Sequence, residues 1–239
     1  MTLSDQELER YARHIVLPQV GGVGQKKLKA ASVAVIGAGG IGSAVIPALA
    51  GAGVGRIAIV DGDTVDASNL HRQTIYRERD SGSGKAALAA DFVSALNHHV
   101  EAIAVPERIN RDNAAELLAG HAIVIDGSDN FATRLAVGDS CVALGIPLVA
   151  AAAIQFQGQV GLFAARPCYR CFVGSAFDSE DCDNCAELGV LGALTATVGA
   201  FAATLAINRL VGVGPDQSGQ VHLFDGERLS WRPIRIPPD

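Results

Sequence analysis

The chain has 239 residues, 49% of them hydrophobic and 18% charged, with 27 glycines. That composition excludes a disordered polypeptide and provides for one large α/β unit with many tight turns. A formal net charge of −6 argues against a general nucleic-acid binder.

The first residues, MTLSDQELERYARH, lack the basic and apolar regions of a signal peptide, so the expected compartment is the cytoplasm, where thiols stay reduced. Ser4 followed by Glu7 reads as a capping box, and Leu8, Tyr11, Ala12 and Ile15 share one helical face. The pattern predicts a helix from Asp5 to about Ile15. From Ser32 onward short apolar runs alternate with helical segments: SVAVIG, a helix from Gly40, RIAIVD, a helix from about Ser83 to Leu96, and VEAIAVPE. Next come a helix from about Asn113, HAIVIDG, a helix from about Phe131 to Leu144, and IPLVAAA. Strands alternating with helices predict βαβ units in a doubly wound, mostly parallel sheet.

After Ala153 the rhythm changes to a strand pair around QFQGQVGLF, a Cys-rich loop, one long helix, and two strand-like runs, VHLFD and IRI. Leu188 to Ile207 is a run of twenty residues without a charge, the length of a membrane span. Its richness in Ala, Gly and Thr predicts close packing against a sheet or a partner subunit, and no membrane association. With no linker or repeat, residues 1–239 read as one domain. It divides into an N-terminal helical extension (1–30), a nucleotide-binding core (31–153) and an elaborated half (154–239).

The loop GAGGIG places Gly37, Gly39, Gly40 and Gly42 between a strand and a helix. Glycines there allow a tight turn, close backbone approach to phosphate, and helix amides aimed at an anion. Asp61 ends the second strand at about the 20-residue spacing of a ribose-binding acid, so the loop alone suits NAD or FAD and an oxidoreductase. The charged residues beyond Asp61 favour another chemistry. The stretch VDGDTVDASNLHRQT carries Asn69 and Arg72, Lys85 opens the next helix, and Asp129 and Asn130 come after the fourth strand. All lie at the carboxyl ends of strands, where doubly wound sheets bind ligands. Two cations and a carboxylate able to hold magnesium around a glycine loop suit a nucleoside triphosphate.

These motifs, GxGGxG, D-x-D-x-V-x-x-S-N-L-x-R-Q, G-x-x-K, Ser-Asp-Asn and PCYRC, resemble those of the E1-like adenylyltransferases of the MoeB/ThiF/HesA group, from about Glu9 to Asp225. The resemblance implies a Rossmann-like E1 fold. It also implies an enzyme that uses ATP and Mg2+ to adenylylate the C-terminal glycine of a ubiquitin-like sulfur carrier of the MoaD or ThiS kind, ending in Gly-Gly. The product would serve sulfur transfer in molybdenum cofactor or thiamine biosynthesis. Carried over by position, the glycine loop cradles phosphates and Asp61 takes the ribose. Ser68, Asn69, Leu70, His71, Arg72 and Lys85 line the nucleotide, and Asp129, beside Asn130, holds Mg2+. Arg13 matches an arginine that enters the site of the other subunit of a homodimer. Asp63 has a matching position without an assigned role. The half from 154 onward would bind the carrier and form the dimer. The competing readings are an NAD- or FAD-binding oxidoreductase and a non-catalytic protein-binding scaffold.

Cys168 and Cys171 have zinc-ligand spacing, and in the family they share a structural zinc with a second CxxC near the C-terminus. No such pair stands here between Cys185 and Asp239. Cys182 and Cys185 are the candidate replacement, making CxxC-x10-CxxC. Cys185 also matches the position of a sulfur-transfer cysteine in some relatives. With no rhodanese-like segment in the sequence, sulfur is expected from a donor protein or through Cys185. Cys141 reads as a small buried hydrophobe.

Overall fold

The computed structural model describes residues 2–174 and 189–237. Strands β1 (Ser32–Ile36), β2 (Arg56–Val60), β3 (Glu101–Val105), β4 (Ile123–Asp126) and β5 (Leu148–Ile154) run parallel in the spatial order β3-β2-β1-β4-β5. Strand β6 (Gln157–Phe163) folds back antiparallel on β5, and β7 (Gln220–Asp225) and β8 (Ser230–Arg235) extend the sheet antiparallel to eight strands. The chain leaves β1 in one direction for β2 and β3 and returns on the other side with β4 and β5. The crevice at the carboxyl ends of β1 and β4 is therefore the switch point where such sheets take ligands.

The helices are α1 (Asp5–Arg10), α2 (Ala12–Ile15), α3 (Gly21–Ala30), α4 (Gly42–Ala52), α5 (Lys85–Leu96), α6 (Ala114–Leu118), α7 (Phe131–Leu144), α8 (Tyr169–Val173) and α9 (Gly192–Val211). Alternate residues of β1 serve opposite faces: Val33 and Val35 join the core under α4 and α9, while Ala34 and Ile36 join the core under α7. Burial on both faces explains the continuous apolar runs of the parallel strands. Helix α7 has the bounds expected from sequence. Asn130 accepts from the Thr133 N–H at its start, and Gly145 turns left-handed (φ 67°) at its end.

Helix α9 is long and apolar enough to cross a membrane, yet half of it is buried in the fold. It packs on α3, α4, β5 and β6. At Gly199 a Cβ would stand 2.5 Å from the Ile41 carbonyl oxygen, so small residues let α9 run against the start of α4. The expected helix begins at Gly192 rather than Leu188, which lies outside the described residues.

The N-terminal helix expected from Asp5 to Ile15 is broken in two at Tyr11 (φ −98°, ψ 13°). The Tyr11 ring is buried against Gly53, at the end of α4, and its hydroxyl accepts from Asn97 Nδ2 at 2.8 Å. Asn97 donates as well to the Ala50 carbonyl at 2.7 Å, which pins Tyr11 to the C-terminal ends of α4 and α5. Gly53 has φ +77°, and a Cβ there would lie 2.4 Å from the Tyr11 ring. Gly53→Ala therefore combines left-handed strain with overpacking, and urea denaturation should show a loss of at least ~2 kcal/mol.

Candidate active site

The site is built outward from Asp61, just beyond β2. Its Oδ2 accepts the Ala38 N–H of the glycine loop at 2.8 Å, and its Oδ1 accepts the Asp63 N–H at 2.8 Å. Burial pushes the Asp61 carboxyl above its ordinary range, and the two N–H donors and the Lys85 charge act against that rise. Tyr76, a little further along the chain than Arg72, donates its hydroxyl to the Ala38 carbonyl at 2.8 Å and to the Lys85 carbonyl at 3.3 Å. Burial drives its phenol far upward, so it remains a neutral donor. Asp61 and Tyr76 thus fix both polar groups of Ala38 in the glycine loop.

Gly37 makes the sharp turn after β1 at φ +85°, and a Cβ there would lie 3.2 Å from the Ser128 amide nitrogen. Gly39 differs, because a Cβ would meet only the Gln73 amide, at 3.6 Å. The protein itself leaves that face open, as expected where a ligand approaches the backbone. Gly40 lies against Thr195 and the Arg72 stem, and Gly42 opens α4, whose N-terminus has no side-chain cap. The Ser43 and Ala44 N–H groups donate back to the Gly39 and Ile41 carbonyls, so the amides left to meet an anion are those of the loop just ahead of them, Gly40 to Gly42.

The segment after Asp61 brings the two cations in. Arg72 is held by Asn69 Oδ1, which accepts from Nη2 at 2.8 Å, and by His71 Nε2, 2.8 Å from Nη1. Ser68 and Leu70 have structural employment: Ser68 donates through N–H and hydroxyl to Asp66, and Leu70 packs against the core. Lys85, at the start of α5, is only 6% exposed, with its Nζ 3.5 Å from Asp63 Oδ2. Asp63 binds Arg108 through its other oxygen at 2.7 Å.

Across the crevice, Asp126 ends β4 and accepts the Ser128 N–H at 2.9 Å. The buried Arg134 donates to the carbonyls of Ser128 and Ala151, tying this loop to β5. Burial opposes its charge, but Asp126 and Tyr169 hold it protonated, above its ordinary range. Asp129 stands exposed at the mouth and its carboxylate takes no hydrogen bond among the described residues, whereas Asn130 is occupied in capping α7. Sequence reasoning passed over Gln73, Tyr76, Arg108 and Arg134. Gln73 is 3% exposed, with its Nε2 beside Gly39 and its Oε1 unpartnered, and its place after Arg72 in the motif was the available signal.

Arg13 lies elsewhere. It is exposed on α2, two residues past the Tyr11 anchor at the far end of α4, a helix about 16 Å long. A cavity of about 580 Å3, lined by Gln155, Phe156, Leu191 and Glu227, opens at the β5–β6 turn beside the start of α9. A larger one of about 690 Å3, with Arg166, Arg209 and Arg235, lies at the opposite edge of the sheet and does not touch this chemistry.

Cys168 and Cys171 sit at the start of α8 with their sulfurs 2.9 Å apart. Two thiols make half of a zinc site, and in a tetrahedral site their sulfurs would stand about 3.7 Å apart. No cluster of three or more metal-ligating side chains occurs among the described residues, and Cys182 and Cys185 lie outside them.

Residues 11–239 match the model of the ThiF family. The chain belongs to that family. It is 43% identical over 243 residues to a sulfur carrier protein adenylyltransferase of Thermus thermophilus, covering 99% of this chain and 90% of the relative. It is 41% identical to an adenylyltransferase and sulfurtransferase MOCS3 of Drosophila grimshawi, over 98% of this chain but 53% of the relative, so it spans about half the length of that protein. In fold it is similar to the crystal structure of E. coli MccB with MccA-N7isoASN, at TM-score 0.86 and 21% identity, covering 99% of this chain and 73% of that one. An E1-like α/β fold was the expectation from sequence, and these likenesses bear it out.

The cysteines differ in reactivity. Burial pushes the Cys141 thiol up to about 12, while at Cys168 burial is outweighed by hydrogen bonds, chiefly from Cys171, that lower it. Brief iodoacetamide treatment of the native protein at a pH of about 7.5 should label Cys168 or Cys171 and spare Cys141, as read by peptide mass mapping. Labelling of Cys141 before denaturation would contradict its burial.

Proposed function

We propose that this protein adenylylates the C-terminal glycine of a ubiquitin-like sulfur carrier with ATP. The observation that carries the reading is that the braced Arg72 lies against Gly40 of a glycine loop tied to Asp61, with the buried Lys85 close enough to act on that carboxylate. The 43% identity to a sulfur carrier protein adenylyltransferase across 99% of the chain supports it. An oxidoreductase needs no such pair of cations, and a scaffold needs no buried lysine at a phosphate loop.

In the proposed reaction a carrier carboxylate oxygen attacks the α-phosphorus of ATP. The bond to the bridging oxygen of the β-phosphate breaks, and pyrophosphate departs with the electron pair, leaving an acyl-adenylate. Asp61 accepts the ribose hydroxyls, the loop amides hold phosphate oxygens, and Arg72 and Lys85 neutralise charge on the departing pyrophosphate. Asn69 acts by holding Arg72. Catalysis is positioning and charge stabilisation, and no protein nucleophile is required.

Asp129 fits a magnesium ligand: one hard, exposed carboxylate that takes no hydrogen bond among the described residues suits an ion held by a single side chain and substrate phosphates. Bound there, Mg2+ would supply further neutralisation of the phosphates. The cavity at Phe156 and Leu191 adjoins the Arg72 loop through Gly192, whose Cβ would lie 2.4 Å from the His71 carbonyl oxygen. That continuity suits the entry of an extended carrier tail. A donor protein would then replace AMP by sulfur, with Cys185 the candidate relay, in the cytoplasm. Zinc at Cys168 and Cys171 is a proposal that needs Cys182 and Cys185 or other ligands to complete it. We read residues 1–239 as one adenylation domain.

The purified protein should catalyse carrier-dependent ATP/pyrophosphate exchange, and Asp129→Ala should reduce it by about 100-fold or more. Unchanged exchange in that variant removes the magnesium assignment, and no exchange with any Gly-Gly carrier removes the function.

Arg13 cannot reach its own glycine loop from the far end of α4, because an arginine side chain spans less than half of that helix. If Arg13 serves catalysis, it does so across a homodimer. Arg13→Ala and Asp129→Ala homodimers should each be nearly inactive, yet co-expression should restore about a quarter of wild-type exchange, since about half of the dimers pair one intact site. Verified heterodimers without recovery would end the trans assignment.

A further inference from the structure

Asp63, Lys85 and Arg108 are joined in a way that the nucleotide reading leaves unused. The backbones of Asp63 and Lys85 are locked together. The Lys85 N–H donates to the Asp63 carbonyl at 2.9 Å, Thr64 and Gly84 form an antiparallel bridge, and Val65 exchanges hydrogen bonds with Ser83 and Gly82. The lysine stem therefore has little freedom, and its side chain is 7% exposed. Asp63 Oδ2 lies 3.5 Å from the Lys85 ammonium, a long contact, whereas Oδ1 is bound tightly by Arg108 at 2.7 Å.

Arg108 is 82% exposed, a setting in which an ion pair ordinarily contributes little. Its stem, however, is seated: a Cβ at Gly62 would lie 2.7 Å from Arg108 Cγ, so only a bare backbone at 62 admits it. The same turn carries Asp61, whose Oδ1 accepts the Asp63 N–H. The proposed ribose acid, the carboxylate beside the lysine and the seat of Arg108 thus form one rigid turn.

Resting on the ATP reading above, we propose that Arg108 is a positioning residue that acts on the nucleotide through Asp63. It engages the Asp63 carboxylate strongly enough to leave the Lys85 ammonium with one long hydrogen-bond contact among the described residues, within the field of Asp61, so the ammonium turns readily to the triphosphate. Asp63 in turn keeps Lys85 aligned. Without Arg108 the uncompensated carboxylate closes on Lys85 and competes with phosphate for it.

The test is a double-mutant cycle on the full chain, reading ATP affinity by calorimetry with Mg2+ present and kcat by pyrophosphate exchange. Arg108→Ala should weaken ATP binding about fivefold with little change in kcat or in Tm. Arg108→Lys should recover most of the affinity. Asp63→Asn should leave ATP binding as tight as in wild type or tighter and lower kcat about tenfold, and adding Arg108→Ala to it should change affinity no further. If Arg108→Ala weakens ATP binding equally in both backgrounds, Arg108 touches the nucleotide itself and the clamp is wrong. Unchanged affinity in Arg108→Ala overturns it too. A wild-type protein that binds no ATP overturns the nucleotide reading and the clamp with it, an outcome distinct from additivity in a protein that binds.

Discussion

The half-buried carboxylate of Asp61 is the constraint on which the site depends. It holds the glycine loop through Ala38 and the turn beyond β2 through Asp63, joining the segments that leave two neighbouring strands. Its desolvation is unfavourable, and the two N–H donors and Lys85 offset it. Where a carboxylate accepts two backbone amides, the loop geometry is set before any ligand arrives. Such preorganisation is what a positioning enzyme requires.

The C-terminal half acts on this constraint from behind. Helix α9 lies against the glycine loop through Thr195 and against the start of α4 through Gly199, with Gly192 under the loop that carries Arg72. One helix therefore supports the proposed phosphate cradle and one of its cations. The antiparallel strands β6 to β8 give α9 a surface to cover, and the stacked pair Phe201 and Trp231 fastens its middle to β8. The apolar character that makes α9 resemble a membrane span is the character of a helix packed between a sheet and a neighbouring helix.

Function on this fold is decided by the side chains at the switch point. The loop after β1 alone is compatible with a dinucleotide or a triphosphate. Lys85, buried at the first turn of α5 with only a long contact to Asp63, and Arg72, braced by two neutral neighbours, favour triphosphate chemistry because such cations gain from a close anion. The opposite wall is as firmly built, with Arg134 fastening the Ser128 carbonyl to β5 so that the neighbouring Asp129 stands at the mouth.

The sequence by itself determined the alternation of strands and helices, the glycine loop and the bounds of α7. These come from local signals: apolar runs at strand length, glycine where φ must be positive, and an asparagine cap answered by a left-handed glycine. It also singled out Asp61, Arg72, Lys85 and Asp129, because strand ends are legible and doubly wound sheets gather them on one edge. The tertiary structure alone decided the break at Tyr11, which exists because a ring must fit against Gly53 and Asn97, residues far along the chain. It likewise decided the pairing of Arg108 with Asp63, 45 residues apart, and the seating of Gln73 beside Gly39. Contacts between distant segments depend on how the sheet brings strand ends together, and no local periodicity records which side chain a distant carboxylate will meet.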